Sequence, residues 1–67
     1  MNLTPRELEI LDLFAAGHSN RMIAHRLQIS VIAVADSIAV LYRKLGAHDR
    51  ESAAAAWVRA QEREVGK

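Results

Sequence analysis

Residues 19–46 read Ser19-Asn20-Arg21-Met22-Ile23-Ala24-His25-Arg26-Leu27-Gln28-Ile29-Ser30-Val31-Ile32-Ala33-Val34-Ala35-Asp36-Ser37-Ile38-Ala39-Val40-Leu41-Tyr42-Arg43-Lys44-Leu45-Gly46. Ser19 carries the short hydroxyl side chain that caps a helix, and Ile23, Ala24 and Leu27 follow at the spacing of one helical face. A short helix is therefore predicted from about Asn20 to Leu27. Gln28-Ile29-Ser30 is the turn, and Ser30 repeats the capping signal. The helix it starts is longer and reaches about Leu45, where Gly46 can take the left-handed conformation that ends a helix. A short helix, a tight turn and a longer helix make the pattern of a helix-turn-helix.

The flanks supply two more helices. Thr4 can cap, Pro5 occupies the first helical position where a missing N–H costs nothing, and Glu7 completes a capping box. Leu3 and Leu8 stand at the positions of a hydrophobic staple. This first helix is expected from about Pro5 to Ala16, burying Ile10, Leu11 and Phe14 and stopping at Gly17. Asp49 caps a fourth helix from about Arg50 to Arg63, with strongly helix-forming alanines at 53–56. Tyr42 and Trp57 finish the core between the third and fourth helices. No stretch alternates apolar and polar residues over strand length, so the expected fold is all-α, a single four-helix domain over residues 1–67.

A chain of 67 residues lies near the lower limit for a core that holds without metal or disulfide. It contains no cysteine, so a disulfide framework and a thiolate metal site are both excluded. His18, His25 and His48 form no i, i+4 ligand pair, and no metal or other cofactor is expected. No apolar run approaches the ~18 residues of a membrane span, and Met1 to Arg6 lack the layout of a secretion signal, so a cytoplasmic location without membrane contact is expected. There is no Ser–His–Asp context, glycine-rich phosphate loop or paired carboxylate set, and a domain this small has little room for a pocket. Neither an enzyme nor a small-molecule substrate is expected. Nine basic against eight acidic side chains leave a net charge of +1, a balance that lowers the expectation of nucleic-acid binding without excluding it.

Several strings carry a resemblance to a known family. Leu3-Thr4-Pro5-Arg6-Glu7, Glu9-Ile10-Leu11, Ala15-Ala16-Gly17 and Ser19-Asn20 resemble the opening of LuxR-type (GerE-type) DNA-binding domains. Ile23-Ala24, Arg26-Leu27, Ile29-Ser30, Val34 and Lys44-Leu45-Gly46 continue it with the family's spacing, over about residues 3 to 60. The resemblance implies a four-helix domain whose third helix enters the DNA major groove and whose fourth often pairs two copies. Such domains usually end transcription regulators switched by phosphorylation or a small ligand. No sensory domain accompanies this chain, which is expected to be a stand-alone regulator or an excised module.

The third helix departs from that pattern. After Ile29-Ser30 the family typically continues with a polar pair, Thr-Val, a basic residue and, two positions later, His. Here only Val34 keeps the pattern, while Ala35 and Ser37 stand at the basic and histidine positions. At about 100° per residue, Val34, Ile38, Leu41 and Leu45 form the inner stripe, and Ile32, Ala35, Asp36, Ala39, Val40 and Arg43 lie opposite. That outer arc is the one the resemblance turns toward DNA, and its apolar members offer no donor or acceptor to a base edge. In the second helix Met22 stands where the family usually has the Glu of a capping box. Met22 thus gives up one local hydrogen bond for an exposed apolar side chain.

Two readings follow. The first is a protein-binding module on a LuxR-type scaffold, engineered or repurposed, that holds another protein or a second copy of itself through Met22, Val31, Ile32, Ala35, Asp36, Ala39 and Val40. The alternative is the DNA-binding domain of a bacterial LuxR-family transcriptional regulator, with Arg21, Ser30, Arg43, Lys44 and Arg50 toward phosphate. The bland reading makes Val31 and Ile32 core residues of a rotated third helix, and makes the basic residues solvated surface or internal ion pairs. Arg26 is one of these, with Glu7 or Glu9 as its expected partner.

Overall fold

The computed structural model describes residues 2–65, with side chains to residue 62. Four helices and no strand occur among the described residues: α1 (Pro5–Ala15), α2 (Asn20–Leu27), α3 (Val31–Leu45) and α4 (Arg50–Val65). Each start is set by a side chain. The Thr4 hydroxyl accepts from the Glu7 N–H at 3.1 Å, and the Glu7 carboxylate accepts from the Thr4 N–H at 2.9 Å, which completes the capping box. Ser19 accepts from the Met22 N–H at 3.2 Å, with no return bond from the Met22 side chain. Ser30 accepts from the Ala33 N–H at 3.0 Å. Asp49 and Ser52 cap α4 reciprocally, Asp49 accepting from the Ser52 N–H at 2.8 Å while the Ser52 hydroxyl accepts from the Asp49 N–H at 3.2 Å.

The helix ends share one device. At Gly17, Gln28 and Gly46 the chain turns to positive φ, and the next N–H reaches back to a carbonyl in the last turn. His18 donates to Leu13 at 3.1 Å, Ile29 to Ala24 at 3.0 Å and Ala47 to Tyr42 at 2.9 Å. Both glycines were legible as stops. Gln28, at φ 57° and ψ 45°, was legible only as part of a turn, because the left-handed region disfavours a residue with a Cβ.

The four helices enclose one core. Ile10, Leu11 and Phe14 of α1 meet Ile23 and Ala24 of α2, Val34, Ile38 and Leu41 of α3, and Ala53 and Trp57 of α4. Leu27, Leu45 and Tyr42 pack half-buried around it. Fully buried Ala53 is the clearest reason for the alanine run, since a small residue there lets α4 approach closely. Trp57 reaches α1, donating from Nε1 to Asp12 at 3.3 Å. Tyr42 stands edge-on to Phe14, with ring centroids 6.1 Å apart. Among the described residues no single helix is long and apolar enough to cross a membrane.

Glu7 is tied to the far end of α3. The Lys44 ammonium donates to both its carboxylate oxygens, at 2.8 and 3.0 Å, and to the Asn2 carbonyl at 2.9 Å. Contrary to expectation, Arg26 pairs with neither Glu7 nor Glu9: Lys44 takes Glu7, while Arg6 lies 3.6 Å from Glu9 one turn along α1. The reason is the packing of α1 on α3, which sets the Thr4 cap beside the last turn of α3 rather than beside α2.

The Lys44 hydrogen bond, followed by that from the Thr4 N–H, holds the Glu7 carboxyl below its ordinary value of 4.5. A carboxyl lowered in the folded state contributes stability that is fully present above the unfolded value and lost as pH falls through the folded one. The melting midpoint should therefore drop on acidification below pH 4.5, and Glu7→Gln should flatten that drop. Identical acid limbs in circular-dichroism melts of the two proteins would show that the pair does not contribute.

Candidate nucleic-acid interface

The axes of α2 and α3 are bent by 112° across the turn. A helix-turn-helix sets its two helices at about 90–120°. The angle is held from inside by Ile23, Ala24, Val34 and Ile38, all buried, and by half-buried Ile29 in the turn itself. With Val34, Ile38 and Leu41 drawn inward, the other side of α3 has to face outward. Ile32 is 73% exposed and Val31 44% exposed, so neither belongs to the core and the rotated-helix reading is excluded. Ala35, Asp36, Ala39 and Arg43 are exposed as well.

Val40 departs from expectation. It is half-buried rather than outward, because it lies about 60° round the helix from Arg43 and so marks the edge of the arc. Met22, on α2, is 45% exposed, as its place opposite Ile23 and Ala24 leads one to expect.

The basic residues divide into two groups. Arg21, Arg26 and Arg43 are exposed and pair with no carboxylate among the described residues. Lys44 is occupied by Glu7 and Asn2. Arg50 is drawn inward, where its guanidinium donates to the Phe14 carbonyl at 3.0 Å and to the His18 carbonyl. The same guanidinium lies 4.1 Å above the centroid of the Phe14 ring. Arg50, expected to face phosphate, is turned instead onto these two carbonyls. Its role as a cap on the C-terminal end of α1 carries no local signal, since the two carbonyls lie 36 and 32 residues away in the chain.

Ser30 already accepts a hydrogen bond through its oxygen, which leaves its hydroxyl proton for an outside acceptor. Neither α2 nor α3 has an acidic residue in its first turn, whereas α1 has Glu7 and α4 has Glu51. The positive ends of the two motif helices are therefore uncompensated, a condition that favours an anion there.

The outer arc of α3 thus has two parts. Its first three turns are apolar apart from the Asp36 carboxylate, and a cation, Arg43, follows in the last turn. Charge attraction is available around the helix, while hydrogen-bond donors for base edges are scarce upon it.

Compared with known proteins, the chain matches the family model described as bacterial regulatory proteins, luxR family, over residues 1–57, a span that includes all of α1, α2 and α3. No solved structure matches it.

Proposed function

This chain belongs to the luxR family of bacterial regulatory proteins, and from that membership we propose that it is the DNA-binding domain of a transcriptional regulator, with α3 laid in the major groove. The observation that carries the reading is the 112° pair of α2 and α3, which bears three exposed arginines, Arg21, Arg26 and Arg43, that no carboxylate engages among the described residues. Phosphate contact supplies most non-specific affinity, and three arginines give a slope of log affinity against log salt of about −2.7, from 3 × 0.9. The hydroxyl of Ser30 and the N–H groups at the start of α3 add donors to the same backbone. Lys44, bound at the surface to Glu7 and Asn2, and Arg50, drawn inward onto Phe14 and His18, are assigned to holding the fold's shape. Transcription control in a bacterium places this work in the cytoplasm.

A second reading is favoured by one observation, the exposure of Ile32 and Val31 on α3 and of Met22 on α2. Apolar side chains of that size are anchors for a helix-face contact with protein, on a scaffold engineered or repurposed for it. It ranks below DNA binding because membership in a family of regulators supports the family's own work.

Size-exclusion chromatography with light scattering, on the chain alone and with a mixed-sequence duplex at low salt, separates the two. Co-elution with duplex that added salt reverses is the expected result. Arg21→Ala with Arg43→Ala should weaken it severely and reduce the salt slope by about 2, with helical circular dichroism retained. A monomer that ignores duplex at low salt would overturn the DNA reading in favour of an outside protein. A DNA-independent dimer that Ile32→Asp dissociates would favour self-association through α3.

A further inference from the structure

The outward face of α3 has an unusual chemical content for a helix that lies against base edges. From Val31 to Ala39 its exposed residues are Val31, Ile32, Ala35, Asp36 and Ala39, none with a donor in its side chain. The one hydrogen-bonding group is the Asp36 carboxylate, an acceptor without a partner among the described residues. Placed in the major groove it loses water, and only an amino group can replace that water favourably.

The groove offers two such groups, N4 of cytosine and N6 of adenine. Adenine sets its N7 acceptor beside the amino group, where it repels a carboxylate. Guanine presents only acceptors, N7 and O6. Cytosine presents its amino group beside a C–H and is the base a carboxylate fits. The apolar neighbours suit thymine, whose C5 methyl is the one apolar group at the edge of the groove. Ile32 precedes Asp36 by one turn and Ala39 follows it by three residues, so they lie about 6 and 4.5 Å away along the axis. Those distances correspond to roughly one or two base pairs on either side.

We propose that α3 reads a pyrimidine-rich strand: Asp36 is the specificity-determining residue, accepting from the N4 amino group of a cytosine, and Ile32 and Ala39 pack on the methyls of flanking thymines. This rests on the DNA-binding reading above. It explains how a face without donors discriminates, since rejection of guanine by the carboxylate contributes alongside attraction to cytosine.

The test is selection by the full chain, at low salt, from duplexes with a randomised centre, followed by titration of the selected sequence. The selected strand should contain a cytosine with thymines within about two base pairs. Exchanging that C·G pair for G·C should weaken binding about tenfold, and deoxyuridine in place of a flanking thymidine, which removes only the methyl, about threefold. Asp36→Asn should move the preference from cytosine to adenine, because a carboxamide donates to N7 while accepting from N6. Asp36→Ala should abolish the cytosine preference and tighten binding to the duplex in which that C·G pair is exchanged for G·C. Duplex binding without base preference, or an Asp36→Asn protein that still selects cytosine, would overturn this inference alone. Retention of no duplex at all would overturn it together with the DNA-binding reading.

Discussion

Arg50→Ala is expected to destabilise the domain by about 2–4 kcal/mol, although the residue it removes is a charged one at the start of a helix. The guanidinium donates to the carbonyls of Phe14 and His18 and stacks over the Phe14 ring. A hydrogen bond from a charged group contributes roughly 1.5–3 kcal/mol, and a cation over an aromatic face about 0.5–2 kcal/mol. The contributions overlap, so the expected loss is well below their sum. Truncation would also leave the His18 carbonyl, part-buried beside α4, without this donor.

A domain of this length has a total stability of only about 3–10 kcal/mol. Arg50→Ala should therefore be partly unfolded near physiological temperature, with its urea midpoint, followed by Trp57 fluorescence, moved sharply down. Arg50→Lys should fall between the two, since an ammonium keeps the charge but not the planar stack or the two-carbonyl reach. A change in stability below about 0.5 kcal/mol in Arg50→Ala would show that the guanidinium is a surface group after all.

Ile23→Ala should have an effect as large, from a different cause. Ile23 is fully buried where α2 meets the rest of the core. Removing its outer carbons loses transfer free energy and leaves a cavity, together about 2–5 kcal/mol for an isoleucine in a packed core. In a domain this small each kcal/mol shifts the melting midpoint by about 4–8 °C, so a drop of roughly 10 °C or more is expected. Duplex binding should fall in parallel, because α2 sets the angle at which α3 is held. Ile32→Ala is the matched control: with its side chain mostly in water, it should leave the melt within about 0.5 kcal/mol of the parent. Equal melting of the two alanine variants would contradict the burial on which this contrast rests.

The boundaries of α1, α2 and α3 were legible almost to the residue, whereas α4 runs to Val65, two residues past the expected Arg63. α2 and α3 begin and end where Ser19, Ser30 and Gly46 place them, and α1 stops one residue short of the expected Ala16, which becomes its cap. These signals are short-range. A capping oxygen reaches an N–H three residues on, and a glycine in the left-handed region returns the chain within one turn, so the local string contains both partners. The inner stripe of α3 was legible for a similar reason, since helical periodicity puts Val34, Ile38 and Leu41 on one side wherever the helix docks.

The candidate interface was legible only in part. Periodicity named Ile32, Ala35, Asp36, Ala39 and Arg43 as outward residues, and they are exposed. It also named Val40, which neighbouring structure half covers, because the width of a buried face depends on what packs beside it. Membership in the luxR family of regulators supports DNA as the partner ahead of protein. Apolar content alone had pointed the other way, because an exposed isoleucine suits a thymine methyl as well as a protein pocket.

The amino-acid sequence by itself determined the four helices, their capped starts, the ends of α1, α2 and α3 and the faces they turn inward, because each rests on partners within about one turn of chain. Tertiary structure alone decided what Lys44 and Arg50 do. Their acceptors, on Asn2, Glu7, Phe14 and His18, lie 32 to 42 residues away in the chain. A long cationic side chain is as well suited to a phosphate as to a carboxylate or carbonyl, and only the docking of α3 and α4 on α1 brings the internal acceptors within reach.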